Sequence, residues 1–219
     1  MKEILLVRHG QTLFNLLNRT QGWSDSPLTE EGRQQARDLG MALRASDLWI
    51  DLFISSDRGR ALETSRLILE SSGLDQTIHE SELWREFSFG SLEGLPNDQN
   101  VVTLLALRGY DKEAASQLAR KDLRRLITET VVELDESGWA ESQEDFEKRL
   151  MEALELTLEM LDKVEGQRAL VLAHGVVMET IFLLLEKEKD LPEIANGKAM
   201  LVSHDGAGFQ VKKVNLSQF

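Results

Sequence analysis

The sequence contains no cysteine and only four histidines among 219 residues. Without cysteine there can be no disulfide framework, no thiolate nucleophile and no cysteine-ligated zinc. The histidines form no H-E-x-x-H pattern, so we expect no catalytic metal and no bound cofactor. These absences exclude thiol chemistry and disfavour metal-based chemistry.

Long apolar runs are absent as well, and positive charge is scarce. No stretch approaches the roughly 20 apolar residues that cross a bilayer, and the run at positions 4–7 is too short for the apolar part of a signal peptide. Lys and Arg number 25 against 38 Asp and Glu, a formal net charge of −13, which disfavours nucleic acid and anionic membranes as partners. We expect a cytoplasmic protein with a small-molecule ligand, and the sequence leaves a homodimer open.

Apolar runs alternate with amphipathic stretches along most of the chain. Strands are predicted over residues 3–7, 51–56, 77–80 and 168–174, helices over 29–45, 60–73, 144–166 and 177–188, and a closing hairpin over 198–214. This alternation predicts a three-layer α/β/α sandwich with a mainly parallel central sheet. The charged, helix-favouring stretch from about 95 to 141 interrupts the alternation. We interpret residues 1–219 as one domain with a helical cap insertion over one edge of the sheet.

Two of the predicted strands end in histidine followed by glycine, in the stretches LLVRHG and LVLAHG. Ligands of open α/β sheets bind at the carboxyl ends of the strands, so His9 and His174 would meet in one crevice if their strands are neighbours. The glycine after each histidine allows a sharp turn or a close approach of the backbone. Two unrelated polar strand ends are the alternative interpretation.

The stretch SSDRGRALET places an arginine where a helix begins. With Ser56 or Asp57 as the N-cap, Arg60 falls in the first helical turn, where a cation meets the partial positive charge of the helix N-terminus. Arg60 would then either extend into solvent or help the helix N-terminus to hold an anion. Together with Arg8, the second interpretation is favoured, and a phosphoryl group fits these cations.

Five motifs, in order, resemble those of the histidine phosphatase superfamily, which includes cofactor-dependent phosphoglycerate mutases and their phosphatase relatives. The stretches LVRHGQTLFN, QGWSDSPLTEEGRQQA, SSDRGRALETS, LWREFSFGSLEG and LVLAHG match its patterns between positions 5 and 175. The resemblance covers nearly the whole chain except the predicted cap.

The resemblance implies a role for each matching residue. His9 would be the nucleophile that forms a phosphohistidine, and Arg8, Arg60 and His174 would surround the phosphoryl oxygens. The matching positions predicted to bind substrate are Asn15, Gln21, Gly22 and Gly175. From spacing alone, Asn15 could equally cap or end a helix.

The leaving alkoxide needs a proton, and the resemblance assigns this task to Glu86. Its aromatic neighbours and an anionic substrate would both raise the pKa of its carboxyl and keep it protonated. The resulting carboxylate could then activate water. Glu82 is expected at a strand end on the surface, and Glu93 is expected to be structural. Arginine and histidine would supply the positive charge, so no metal is required.

Three functions remain open: a phosphatase, a mutase and a catalytically silent protein that binds phosphorylated ligands. The mutases carry arginine, tyrosine and lysine where this sequence has Phe87, Phe89 and Asn97. We also expect this chain to be shorter than those mutases. Both departures favour a phosphatase with a partly apolar pocket. No catalytic residue is missing, which disfavours the silent binder.

A basic cluster within the predicted cap has two interpretations. Arg120, Lys121, Arg124 and Arg125 recur at helical spacing in the stretch ARKDLRRL. They could attract a second anionic group on the substrate, or form a solvated helix face paired with nearby carboxylates.

Overall fold

The computed structural model describes residues 1–46, 48–187 and 189–218, which form six strands and eight α-helices. The strands are β1 (Lys2–Arg8), β2 (Leu52–Ser56), β3 (Ile78–Ser81), β4 (Arg168–Ala173), β5 (Ala199–His204) and β6 (Phe209–Leu216). The helices are α1 (Leu13–Leu16), α2 (Glu30–Ala45), α3 (Gly59–Ser72), α4 (Asn97–Leu107), α5 (Lys112–Ser116), α6 (Arg120–Leu134), α7 (Gln143–Lys163) and α8 (Gly175–Leu185).

The six strands form one sheet in the order β3-β2-β4-β1-β5-β6. The pairings β3 with β2, β2 with β4 and β4 with β1 are parallel. Strand β5 runs antiparallel to β1 and forms the predicted hairpin with β6. The sheet is therefore mixed, with a parallel half that carries both histidine motifs.

Both faces of the sheet are covered by helices, which confirms the three layers. On β1, Leu5 and Val7 join a core with α2 and α3, whereas Ile4 and Leu6 face the core formed with α7 and α8. All four side chains are buried, as expected for a strand covered on both faces. The predicted helix over 177–188 begins earlier, at Gly175, and ends at Leu185; Glu188 lies outside the described residues.

Between the 3₁₀ turn that ends at Leu92 and the start of α7, the described chain forms three helices and no strand. Helices α4 and α6 pack on each other, and Leu104, Ile127 and Val131 join the larger sheet core. The segment predicted as a cap is thus anchored in the main core. In the described part of the chain, no helix has the length and apolar character needed to cross a membrane.

Candidate active site

The two histidine motifs lie side by side at the carboxyl ends of β1 and β4. The strands pair in register up to Arg8 and Ala173, and the amide of His9 donates to the carbonyl of Ala173 over 3.1 Å. The rings of His9 and His174 pack edge to face with centroids 5.2 Å apart. Adjacent parallel strands therefore bring together two residues that are distant in sequence.

Arg60 links the two histidine rings. Its Nε donates to Nε2 of His9 over 3.2 Å, and its Nη2 lies 3.0 Å from Nδ1 of His174. All three side chains are buried. The structure thus brings Arg60 to the two histidines, the three residues that the resemblance groups around one phosphoryl site.

These contacts define the tautomer of each histidine. Arginine can only donate, so Nε2 of His9 and Nδ1 of His174 are unprotonated. The His9 proton lies on Nδ1, which donates to the carbonyl of Gly10 over 2.8 Å. The His174 proton lies on Nε2, which donates to Oγ of Ser56 over 2.8 Å. His9 therefore presents a nitrogen lone pair at Nε2.

Both histidines are held in the neutral state. Burial lowers the pKa of His9 well below its usual range, and the charges of Arg60 and Arg8 lower it further. Burial likewise lowers the pKa of His174, with Arg60 and His9 adding to the effect. A neutral imidazole at the carboxyl end of β1 is the form that can act as a nucleophile.

The start of α3 differs from the sequence prediction. Neither Ser56 nor Asp57 is the N-cap: the helix begins at Gly59 after Arg58. Ser56 belongs to β2, and the Asp57 carboxylate is held by Arg58 and Arg85. That pairing, with the hydrogen bonds it brings, lowers the pKa of Asp57 even though burial raises it.

The anion beside Arg60 is a carboxylate of the protein itself. Oδ1 of Asp25 accepts from the backbone amide of Arg60 at 3.4 Å and from its Nη1 at 3.0 Å. The remaining donors of Arg60 bind the carbonyls of Gly22 and Ser24, each over 2.8 Å. All five N–H groups of its guanidinium therefore have protein acceptors, so a phosphoryl oxygen would have to replace one of them.

Glu93 anchors the loop that holds Arg60. Its carboxylate accepts from the backbone amides of Gly22, Trp23, Ser24 and Phe89 at 2.9–3.1 Å, and from the Ser24 hydroxyl. Because the carbonyls of Gly22 and Ser24 bind Arg60, the carboxylate fixes their position. The structural role expected of Glu93 is confirmed, and exposed Glu82 pairs with Arg85.

Arg8 reaches the site from the end of β1. Its Nη1 donates to the carbonyl of Ile194, and its buried Nε has no hydrogen-bond partner among the described residues. Gly175 lies against the guanidinium, since a Cβ there would approach the Arg8 Cζ to 3.2 Å. Gly10 likewise permits close contact, because a Cβ there would lie 2.2 Å from the Gly32 carbonyl oxygen. At both positions glycine is favoured because neighbouring atoms leave little room for a Cβ, and neither backbone adopts the left-handed conformation.

The Glu86 carboxylate covers the N-terminus of α8. It accepts from the backbone amides of Val176 and Val177 at 3.0 and 3.1 Å, and from that of Phe87 at 2.9 Å. Burial raises the pKa of Glu86, although these donors and the nearby arginines oppose the rise. The direction agrees with the sequence expectation for a proton donor.

The side chains of Asn15 and Gln21 have structural contacts and also line the cleft. Oδ1 of Asn15 accepts from the Thr12 amide in a capping box at the start of α1, and from Nδ2 of Asn196. Gln21 accepts from the hydroxyls of Thr12 and Ser26. Sequence analysis missed Asn196, which also donates to the His9 carbonyl over 3.0 Å and whose only signal is an Asn-Gly pair before β5.

A cleft of about 480 Å³ opens beside these residues. Its charged lining comprises Arg8, Arg19, Arg124, Glu86, Glu179 and Glu193, and its apolar lining comprises Phe14, Phe89, Val101, Ile127, Val176 and Ala195. The partly apolar pocket is therefore present. Phe87 does not contribute to it, because its ring packs in the core against Phe89 and Phe146.

The basic cluster of the cap divides between the cleft and the surface. Arg124 lines the cleft, and both Arg124 and Arg120 pair with Glu179 of α8. Arg125 instead forms an exposed pair with Glu129 on its own helix. Neither sequence interpretation anticipated Glu179, because no spacing rule connects α6 with α8.

The sequence as a whole matches a known group of proteins. The Histidine phosphatase superfamily (branch 1) profile matches residues 4–217. The chain belongs to the histidine phosphatase superfamily. Within the described residues, no three His, Asp or Glu side chains are grouped in a way that could hold a metal ion.

Named relatives in this superfamily include mutases and phosphatases. The chain is 32% identical over 216 residues to a 2,3-bisphosphoglycerate-dependent phosphoglycerate mutase of Parvibaculum lavamentivorans, covering 96% of this chain and 94% of the relative. The structure of a Bacillus anthracis phosphoglycerate mutase superposes with a TM-score of 0.88 at 28% identity, covering 99% and 93%. A mycobacterial glucosyl-3-phosphoglycerate phosphatase shares the fold at 24% identity, with a TM-score of 0.70 and coverage of 98% and 99%.

These matches correct the argument from chain length. The chain spans 94% of a relative named as a mutase, so its length does not separate it from that group. Discrimination between mutase and phosphatase must therefore rest on the cleft lining.

Proposed function

We propose that the protein hydrolyses phosphomonoesters without a metal ion, through a phosphohistidine intermediate on His9. The observation that carries this proposal is the unprotonated Nε2 of His9, held in a neutral ring beside Arg60 and next to Arg8. Arginine and imidazole supply the positive electrostatic environment that a phosphoryl transition state needs. The acidic chain suits a small-molecule substrate in the cytoplasm.

In the first step, the Nε2 lone pair of His9 attacks phosphorus and the bond to the ester oxygen breaks. Glu86 gives its proton to that oxygen, so a neutral alcohol leaves and a phosphohistidine remains. During this step the Nε–H group of Arg60 ends its hydrogen bond to His9 and donates to a phosphoryl oxygen instead. The raised pKa of Glu86 supports its role as the acid.

In the second step, the Glu86 carboxylate takes a proton from water as the water oxygen attacks phosphorus. The phosphorus–nitrogen bond breaks, and His9 recovers its lone pair as inorganic phosphate leaves. His174 holds Arg60 through Nδ1 and is itself held by Ser56, so its contribution acts through Arg60.

Hydrolysis of para-nitrophenyl phosphate in excess chelator tests the proposal directly. We expect turnover by the parent protein, none by His9→Ala, and an acid-labile phosphoryl group on His9 after rapid quenching. Persistent activity in His9→Ala would overturn the mechanism. In kcat/KM, which reports the first step, Glu86→Gln should lose about 10²–10⁴-fold on an alkyl phosphate and much less on the nitrophenyl ester, whose leaving group needs no proton. The value of kcat should fall for both esters, because the second step needs Glu86 as the base.

Phosphoglycerate mutase activity is the second candidate, favoured by the names of the Parvibaculum lavamentivorans and Bacillus anthracis relatives. It is opposed by apolar Phe89 in the cleft wall, where the mutases are expected to bind a carboxylate. Interconversion of 2- and 3-phosphoglycerate, primed with the bisphosphate, distinguishes it. A protein that binds these esters without either reaction would be the silent member of the superfamily.

A further inference from the structure

Glu179 is a carboxylate that the mechanism does not use, and it lies in the cleft wall. It belongs to the second turn of α8, and its side chain is only 7% exposed. Its Oε2 lies 2.6 Å from Nη2 of Arg124, and its Oε1 lies 3.6 Å from Nη2 of Arg120. Each carboxylate oxygen thus faces a different arginine of the cap.

The close ion pair with Glu179 neutralises Arg124, the cap arginine that lines the cleft. A buried carboxylate is tolerated only when cations compensate it, so the pairing holds Arg120 and Arg124 toward Glu179. Arg125, one residue further along α6, points elsewhere and pairs with Glu129. Consequently the cap presents an ion pair to the cleft and not free positive charge.

Glu179 is also close enough to the phosphoryl site to affect it. Burial lowers the pKa of Arg8, whereas Glu86, Glu179 and, as the smallest contribution, Glu193 oppose that lowering and Arg124 adds to it. Arg8, Arg124 and Glu179 line the same cleft. A substrate whose phosphoryl group lies at Arg8 and whose alcohol part fills this cleft would meet the wall that Glu179 borders.

We propose that Glu179 makes the cleft selective for phosphate esters of uncharged alcohols and rejects esters with a second anionic group. At the wall formed by α8 and the cap, a second carboxylate or phosphate would either approach Glu179 as a like charge or take Arg124 from it and leave Glu179 buried without its close cation. Both outcomes are unfavourable. The inference rests on the proposed function and names its substrate class.

The matched pair of glycerol 3-phosphate and 3-phosphoglycerate tests this directly, because the two esters differ chiefly in a hydroxymethyl against a carboxylate group. We expect the parent protein to favour glycerol 3-phosphate in kcat/KM by about tenfold or more, equal to about 1.4 kcal/mol. Glu179→Gln should shift that ratio toward 3-phosphoglycerate by a similar factor. The double variant Glu179→Gln/Arg124→Gln should lose most of the shift.

Glu193→Gln is the matched control, because Glu193 is an exposed carboxylate of the same cleft and pairs with no cation within the described part of the chain. It should change the ratio by less than about threefold. Equal shifts in Glu193→Gln and Glu179→Gln, an unchanged ratio in folded Glu179→Gln, or a parent that already prefers 3-phosphoglycerate would each overturn the inference. Should Glu179→Gln fail to fold, Glu179→Met removes the same charge from the apolar wall, and the parent ratio still decides.

Dissociation constants of both esters, measured calorimetrically with His9→Ala, separate this inference from the proposed function. Absence of hydrolysis by the parent would refute the proposed reaction, yet the binding ratio would still report on Glu179. Hydrolysis of both esters with equal efficiency and equal affinity would refute only the selectivity inferred for Glu179 and would leave the proposed reaction intact.

Discussion

The Nε–H of Arg60 donates to Nε2 of His9 over 3.2 Å, so the cation predicted to bind an anion is bound to the predicted nucleophile. The contact protects the His9 lone pair from protonation, because a second proton on the ring would face the guanidinium charge. Release of His9 on substrate binding would free one arginine donor and one nitrogen lone pair together.

Arg60→Gln should move the acidic limb of the pH–rate profile to higher pH. In the proposed mechanism neutral His9 is the active form, so activity should fall as pH falls through its pKa, which burial, Arg60 and Arg8 hold below the usual range. Removing the Arg60 charge raises that pKa, and kcat should fall about 100-fold or more. The measurement is kcat/KM against pH, with exposed Arg66→Gln on the same helix as the control. An unmoved limb in active Arg60→Gln would contradict the electrostatic role.

Two buried neutral histidines should make stability depend on pH. Because the folded pKa values of His9 and His174 are lowered, the unfolded chain binds more protons below the usual histidine range. Their effect is therefore a free energy of unfolding that falls as pH drops below about 6.5. His174→Gln should reduce the slope between pH 7.5 and 5 by up to about 1.4 kcal/mol per pH unit. Urea titrations measure this, and exposed His79→Gln should follow the parent.

Glu93→Gln should weaken both stability and catalysis, since Glu93 positions the carbonyls that bind Arg60. Gln offers one acceptor oxygen to five donors, so the free energy of unfolding should fall by about 1–3 kcal/mol. If the residue acts through Arg60, the acidic limb of kcat/KM should also move toward that of Arg60→Gln. A destabilised variant with the parent pH profile would show that Glu93 contributes to stability but does not act on catalysis through Arg60. Glu82→Gln, at an exposed surface pair, is the control.

Gly10→Ala should destabilise the protein by about 3 kcal/mol or more. The added Cβ would lie 2.2 Å from the backbone oxygen of Gly32, and that backbone belongs to α2 and cannot rotate away. Gly208→Ala is the matched control, because a Cβ there meets no atom within 4 Å, and it should change stability by less than about 0.5 kcal/mol. Similar melting temperatures for the two variants would show that α2 can shift to accommodate the added Cβ at little cost in stability.

Much of the fold followed from local patterns, because buried parallel strands and amphipathic helices have distinct periodicities. The strand before His9 and the closing hairpin were both predicted in this way. The start of α3 was not. The position of its N-cap depends on two contacts with distant residues. The Asp57 carboxylate binds Arg85, and Asp25 from another loop accepts from the backbone amide of Arg60. Such competition between distant side chains leaves no periodic signal.

The candidate site shows the same division. His9 and His174 could be placed together because parallel strands end at one edge of a sheet. The contacts of Glu179 with Arg120 and Arg124 could not, since they join two helices whose packing no sequence rule specifies. Phe87 was assigned to the pocket by its position in a motif, whereas its neighbour Phe89 lines the cleft.

Strand β1 is synthesised long before both of its partners, because β4 and β5 lie beyond residue 167. The apolar strand that precedes His9 thus remains unpaired while the intervening residues are synthesised. It is a candidate binding site for chaperones until β4 emerges. Since His174 follows directly on β4, reactivity at His9 and completion of the sheet should arise together, and an incomplete chain cannot form the phosphoryl site.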